Sequence, residues 1–177
     1  LCFEVGDAAS AVKHLKAALP YLQKTASNPE ILRLRGIILA RDKKKAALAR
    51  KNFETALSLD TSEAGLKKAA AALSRAVGFF PGDGILHQAL ARILDRQKAW
   101  ARSLEHYSLA PKEAATEARM GTLYLQLGDK DSAEVRWQKS LEIAPMQGEI
   151  AFGLGKLLEE RKAFANAAGY FDLAAEA

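Results

Sequence analysis

The stretch Ala114–Gln147 reads AATEARMGTLYLQLGDKDSAEVRWQKSLEIAPMQ, and its pattern sets the fold. Two apolar stripes run along it at helical spacing: Met120, Tyr124 and Leu127, then Val135, Leu141 and Ile143. Gly128-Asp129 lies between them. Glycine accepts the left-handed conformation that ends a helix, and aspartate caps the helix that follows. Pro145 closes the unit because proline cannot continue a helix. The stretch is therefore predicted to be one helix-turn-helix hairpin.

The hairpin recurs. Gly121, Tyr124, Ala133 and Trp137 are followed 34 residues later by Gly155, Leu158, Ala167 and Phe171. Met120-Gly121-x2-Tyr124, Ala133-x3-Trp137 and Pro145 resemble the signature of the tetratricopeptide repeat (TPR) family, whose period is also 34. The second copy has Ala151-x2-Leu154-Gly155-x2-Leu158 and Ala167-x3-Phe171. The family opens each repeat with an aromatic residue, and Glu117 holds that place here. The packing reason for the pattern is direct. Small residues such as Gly121 and Ala133 let two helices approach closely, while Tyr124 and Trp137 fill the space beside them.

The resemblance is strong from Gly84 onward and looser before it. It implies an all-α, right-handed superhelical solenoid of about ten antiparallel helices, forming a single domain over 1–177. Residues 1–83 read as irregular repeats, and 84–113, 114–147 and 148–177 as clearer ones. Composition agrees: hydrophobic residues reach 49%, enough for a continuous core, and no period-two alternation points to sheet.

Taken in order, Leu1–Val5 reads as the tail of a first helix, and Ala11-x3-Leu15 starts a second from about Ala8 that Pro20 ends or kinks. Pro29 suits a first helical position. Glu30–Arg41 is a first-type helix, with Leu32, Gly36 and Leu39 at the repeat spacing. Lys43–Leu59 is its partner through Ala49-x3-Phe53. Leu66–Phe80 reads as another second-type helix through Ala69-x3-Leu73, only 20 residues after the last. Either the helix from Lys43 serves two roles or one element is irregular. Ile85–Arg96 and Ala99–Leu109 form the next pair, the latter cut short by Pro111. The final helix starts at about Ala163, and Phe164, Tyr170, Phe171 and Leu173 give it an exposed apolar face suited to end-to-end self-association.

Catalytic chemistry finds no foothold. His14, His87 and His106 form no metal-binding pair, and His87 reads as a packing residue. Gly82-Asp83-Gly84 lacks the strand and the Gly-Lys-Ser/Thr of a phosphate loop. Cys2 is the one cysteine, so no internal disulfide framework or multi-cysteine zinc site is expected. No cofactor and no membrane span are expected either. Leu1 is not an initiator methionine, so the chain reads as a fragment or processed form, and its compartment stays open.

The resemblance implies a non-catalytic scaffold that binds protein or peptide in a concave groove. Carried over position by position, the family's groove-lining places fall on Arg33, Ile37 and Arg41, then Gln88, Arg92, Asp95 and Arg96. They continue at Ala118, Thr122, Leu125 and Gln126, then Phe152, Lys156 and Glu159. The basic early sets point to a partner with acidic residues near Arg92 and Arg96, and the later sets to an apolar anchor near Leu125 and Phe152. The second reading uses net charge +5 and the run Arg33, Arg35, Arg41, Lys43, Lys44, Lys45, Arg50 and Lys51. It is an anion-binding module for RNA or acidic polysaccharide, as in a TPR scaffold of a bacterial secretion or exopolysaccharide export system. A solvated basic turn outranks it, because the run carries no interleaved aromatics for stacking. The Lys and Asn residues with which some family members grip chaperone carboxylates have no counterparts here.

Overall fold

A computed structural model describes residues 28–39 and 42–177. The helix tail at Leu1–Val5, the helix around Ala11-x3-Leu15, its end or kink at Pro20, and Arg41 lie outside the described residues. Among those described there are nine α-helices and no strand. The chain divides into two compact units, 1–99 and 100–177.

In the first unit, α1 is Pro29–Leu39, α2 is Ala46–Leu59, α3 is Glu63–Phe79 and α4 is Gly84–Arg96. Lys43–Lys45 forms a short 3₁₀ turn before α2. Helices α1 and α2 pair as a hairpin. Phe53 of α2 lies against Gly36 of α1, where an added Cβ would sit 2.6 Å from the ring. The break in register around Lys43–Phe80 comes from an additional helix. Helix α2 does not serve two roles: α3 is a separate element that packs on α1, α2 and α4. Its Ala69, Ala72, Leu73 and Ala76 enter one core with Ile37, Phe53, Leu86, Leu90 and Leu94. The start of α3 is fixed by Ser62, whose hydroxyl accepts from Gly65 N at 3.0 Å. Asp83 caps α4 by accepting from Ile85 N and Leu86 N.

In the second unit, α5 is Trp100–Ser108, α6 is Ala114–Gln126, α7 is Lys130–Ile143, α8 is Gly148–Glu160 and α9 is Phe164–Glu176. Helix α5 is short, as Pro111 requires. Helices α6 and α7 form one hairpin and α8 and α9 another, with α7 packed on α8. Asp129 caps α7 by accepting from Ser132 N at 3.0 Å. The Trp137 indole lies on Gly121, and its Nε1 donates to Ala118 O at 3.1 Å. Its far edge meets Gly153 of the next hairpin, where a Cβ would sit 3.2 Å from the ring. One step along, Phe171 lies on Gly155 in the same way.

The stripe expected for α7 is corrected. Ala133, Trp137 and Leu141 form the buried row, four residues apart. Val135 and Ile143 are 48% and 52% exposed. Position 135 lies two residues, some 200°, from the row that meets α6, so it faces away.

Three first-helix ends close identically. Ala99 N donates to Leu94 O, Asp129 N to Tyr124 O and Ala163 N to Leu158 O, each at 2.9 Å. The residue before each donor is left-handed: Lys98 at φ 58, Gly128 at φ 84 and Lys162 at φ 61. This is the six-to-one bond that ends a helix with a left-handed residue. Only Gly128 is the residue type that conformation favours.

Candidate functional site

Among the described residues, no group of three or more His, Cys, Asp and Glu side chains is placed to hold a metal. No helix is long and apolar enough to cross a membrane. His87 is buried, with Nε2 3.0 Å from Pro81 O, so it serves as a satisfied core histidine.

The groove positions divide by environment. Arg33 is buried, and its Nη2 donates to Asp60 Oδ2 at 3.0 Å and to Gly65 O at 3.3 Å. It ties α1 to the α2–α3 corner, a structural task that removes it from any open surface. Asp60 carries a pKa held below the ordinary carboxylate value, first by the Ser62 hydroxyl and then by Arg33. Ile37 is likewise in the core. These two early positions are covered, not presented.

Gln88 and Arg92 stand four residues apart on α4, opposite Arg50 and Glu54, four apart on α2. Gln88 is buried and its Oε1 accepts from Arg50 Nη1 at 3.4 Å. Arg92 Nη1 donates to Glu54 Oε1 at 3.1 Å, and Arg50 Nε approaches the same oxygen at 3.6 Å. Arg96, one turn beyond Arg92, is exposed.

In the second unit, α6 and α8 face each other across an open recess of about 460 Å³. Ala115, Ala118, Arg119 and Thr122 line one side, and Gln147, Gly148, Glu149 and Ile150 the other. Thr122 is half-buried and its hydroxyl donates to Ala118 O, so the side chain lies flat on its own helix. Helical spacing continues the first row from Thr122 to Leu125 and the second from Glu149 through Phe152 to Lys156. Leu125 is 37% exposed and Phe152 52%. Phe152 is held from two sides. Its ring centroid lies 5.6 Å from that of Phe171, and Lys156 Nζ sits 5.7 Å from its centre.

Two features lay beyond sequence reasoning. Glu117, in the place of the family's aromatic, is buried and accepts from Arg136 Nη1 at 3.1 Å. A charged residue at an aromatic position was the available clue; its partner 19 residues on was not evident. Buried Ser140 donates to Ala114 O at 2.7 Å, and Gln147 Nε2 donates to Ser140 O at 3.0 Å, lacing the open end of the hairpin. The apolar face expected on α9 narrows to Phe164, 63% exposed; Tyr170 and Leu173 pack on the α7–α8 core.

Residues 119–177 match the tetratricopeptide repeat family model. Among solved structures, a MamA from Desulfovibrio magneticus RS-1 covers 99% of this chain and 88% of its own, at 17% identity and TM-score 0.59. YrrB, a TPR protein with an unusual peptide-binding site, covers 77% of this chain and 75% of its own, at 16% identity and TM-score 0.61. Pseudomonas aeruginosa pilF covers 93% and 74%, at 17% identity and TM-score 0.56. No curated protein matches in sequence. At these identities the likeness is one of fold: an all-α TPR solenoid.

Proposed function

We propose that this chain, whose residues 119–177 are tetratricopeptide repeats, is a non-catalytic scaffold that binds a protein segment between adjacent first-type helices. The observation that carries the reading is the open recess between α6 and α8, with Leu125 and Phe152 exposed about one helical turn beyond its lining residues Thr122 and Glu149. Exposed aromatic and aliphatic side chains flanking a recess supply the buried anchor on which peptide affinity depends. Arg119 lines the recess, and Lys156 lies over the Phe152 ring one turn beyond it; both suit a carboxylate on the bound segment.

A photo-crosslinking residue at Leu125 or Phe152 tests this. Adducts with a protein are expected from these positions and not from exposed Val135 on α7. RNA adducts, or equal yield at Val135, would reject the groove. Phe164 is the residue on which end-to-end self-association would rest. Sedimentation of the wild type against Phe164→Ser should then show larger species only in the wild type.

A further inference from the structure

Glu54 occupies an arginine site, and it occupies it poorly. Arg50 and Arg92 come from different helices, yet both approach one oxygen, Oε1. Guanidinium and carboxylate groups pair best two-to-two, with parallel N–H···O bonds to both oxygens. Neither arginine achieves that here. Arg50 Nε is closed off from solvent and donates to nothing, with Glu54 Oε1 3.6 Å away. An unbonded, desolvated donor is costly, and a better-placed acceptor would relieve it. The arginine is nevertheless held in place, because Nη1 is bonded to Gln88, itself 2% exposed. The Arg50, Glu54 and Arg92 side chains are 37%, 45% and 48% exposed, so a ligand reaches all three.

The surroundings favour an anion. Residues 1–99 hold 17 Lys and Arg against 9 Asp and Glu, net +8, whereas 100–177 hold 9 against 12, net −3. Arg96 adds a third exposed guanidinium to the row that begins at Gln88 and Arg92.

We propose that Glu54 is an internal stand-in for a carboxylate of an acidic protein segment, and that binding exchanges the one for the other at Arg50 and Arg92. The site rests on the reading above that the partner is a protein. Glu54 would thereby set a threshold: isolated carboxylates lose the competition, and a segment with several acidic residues wins it.

The test uses the full chain and a fluorescein-labelled hexaglutamate peptide at low salt. Glu54→Gln keeps the side chain's size and removes its charge. It is expected to tighten hexaglutamate binding by up to about fivefold, the upper end of what an exposed charge pair contributes. Arg92→Gln and Arg50→Gln should weaken it by a similar factor, and hexaglutamine should bind none of the proteins. Circular dichroism and the melting temperature check that each variant folds. Unchanged or weaker binding by folded Glu54→Gln would overturn the proposal, as would absence of hexaglutamate binding to both proteins. Tightening toward polyphosphate alone would also overturn it and favour a phosphate polymer. Adducts at Leu125 and Phe152 are scored separately. Adducts with no response to Glu54→Gln keep the scaffold and reject the exchange; the converse keeps the exchange and rejects the groove.

Discussion

Trp137 sets how closely α6 and α7 approach, because its indole lies on the bare backbone of Gly121. Gly121→Leu should therefore cost roughly 2 kcal/mol, as overpacking a close contact costs about 1–3 kcal/mol and the helix-propensity gain of about 0.5–1 kcal/mol does not offset it. Gly169 on α9 is the control: nothing lies within 4 Å of an added Cβ. Gly169→Ala should raise stability by about 0.5–1 kcal/mol. Urea melts that gave both substitutions the same sign would show that the contact at Gly121 is not what limits it. The same logic reverses at the helix ends. Lys98 and Lys162 hold left-handed φ values of 58° and 61°, which cost an L-residue about 1–2 kcal/mol. Lys162→Gly should stabilise by about 0.5–1 kcal/mol once the added freedom of the unfolded chain is discounted. A fall in urea midpoint would mean that the lysine side chain contributes more than its backbone costs. Gly128 was legible as a turn in the sequence because its residue type announces the conformation. Lys98 and Lys162 were not, because bonds between residues five apart, Ala99 to Leu94 and Ala163 to Leu158, impose it on them.

Between elements, charge adds to apolar contact. Arg161, in the turn after α8, bonds Glu134 at 2.7 Å and Asp131, and Lys130 meets Glu160 at 2.5 Å. These pairs tie the second helix of one hairpin to the turn of the next. Glu117 and Arg136 join α6 to α7, with 4% and 26% of the side chains exposed. Breaking a buried pair strands a charge, so Arg136→Ala should cost about 2 kcal/mol, less than the 3–5 kcal/mol of a fully buried pair. The double variant Glu117→Leu/Arg136→Leu should recover most of that loss. Additive losses in the cycle would show that the two residues act separately. Asp60, bonded first by the Ser62 hydroxyl and then by Arg33, gives a pH dependence. The folded pKa of Asp60 is depressed, so its contribution is present above the unfolded value and is lost as pH falls through the folded one. Thermal melts from pH 7 downward should show stability falling through the acidic range below the ordinary carboxylate pKa of about 3.9, and Asp60→Asn should flatten that fall. An identical acid slope in the variant would rule Asp60 out as its source. Repeats were legible because Gly121, Gly155, Trp137 and Phe171 keep one spacing. The α2–α3 region was not, because Ala49-x3-Phe53 and Ala69-x3-Leu73 look alike while one packs inside a hairpin and the other across it. The candidate groove was legible only in part, because a family position says which way a residue faces in a regular repeat. Arg33 and Ile37 sit beside α3, which covers what a regular array would leave open.

At the scale of the molecule, repeat proteins draw stability from each unit and its nearest neighbours, so a group of hairpins with its own core is a folding unit. Residues 100–177 meet that condition. Trp137 touches Gly121 within its hairpin and Gly153 across to the next, and Ala133, Leu141, Ala151, Leu154 and Leu157 close the core around it. The unit has 78 residues. Domains near 60–80 residues bury only about 60% of their unfolded surface and rarely exceed 3–5 kcal/mol of stability. Expressed alone, 100–177 should be helical by circular dichroism and melt cooperatively, at a lower temperature than the full chain. Trp137 makes the outcome readable, because its ring is buried in the native hairpin and its emission shifts to the red when it meets water. Trp100→Phe leaves it as the sole reporter. Helical circular dichroism with red-shifted emission and no cooperative melt would mean that the hairpins form but the core between them does not, and the unit would then not fold by itself.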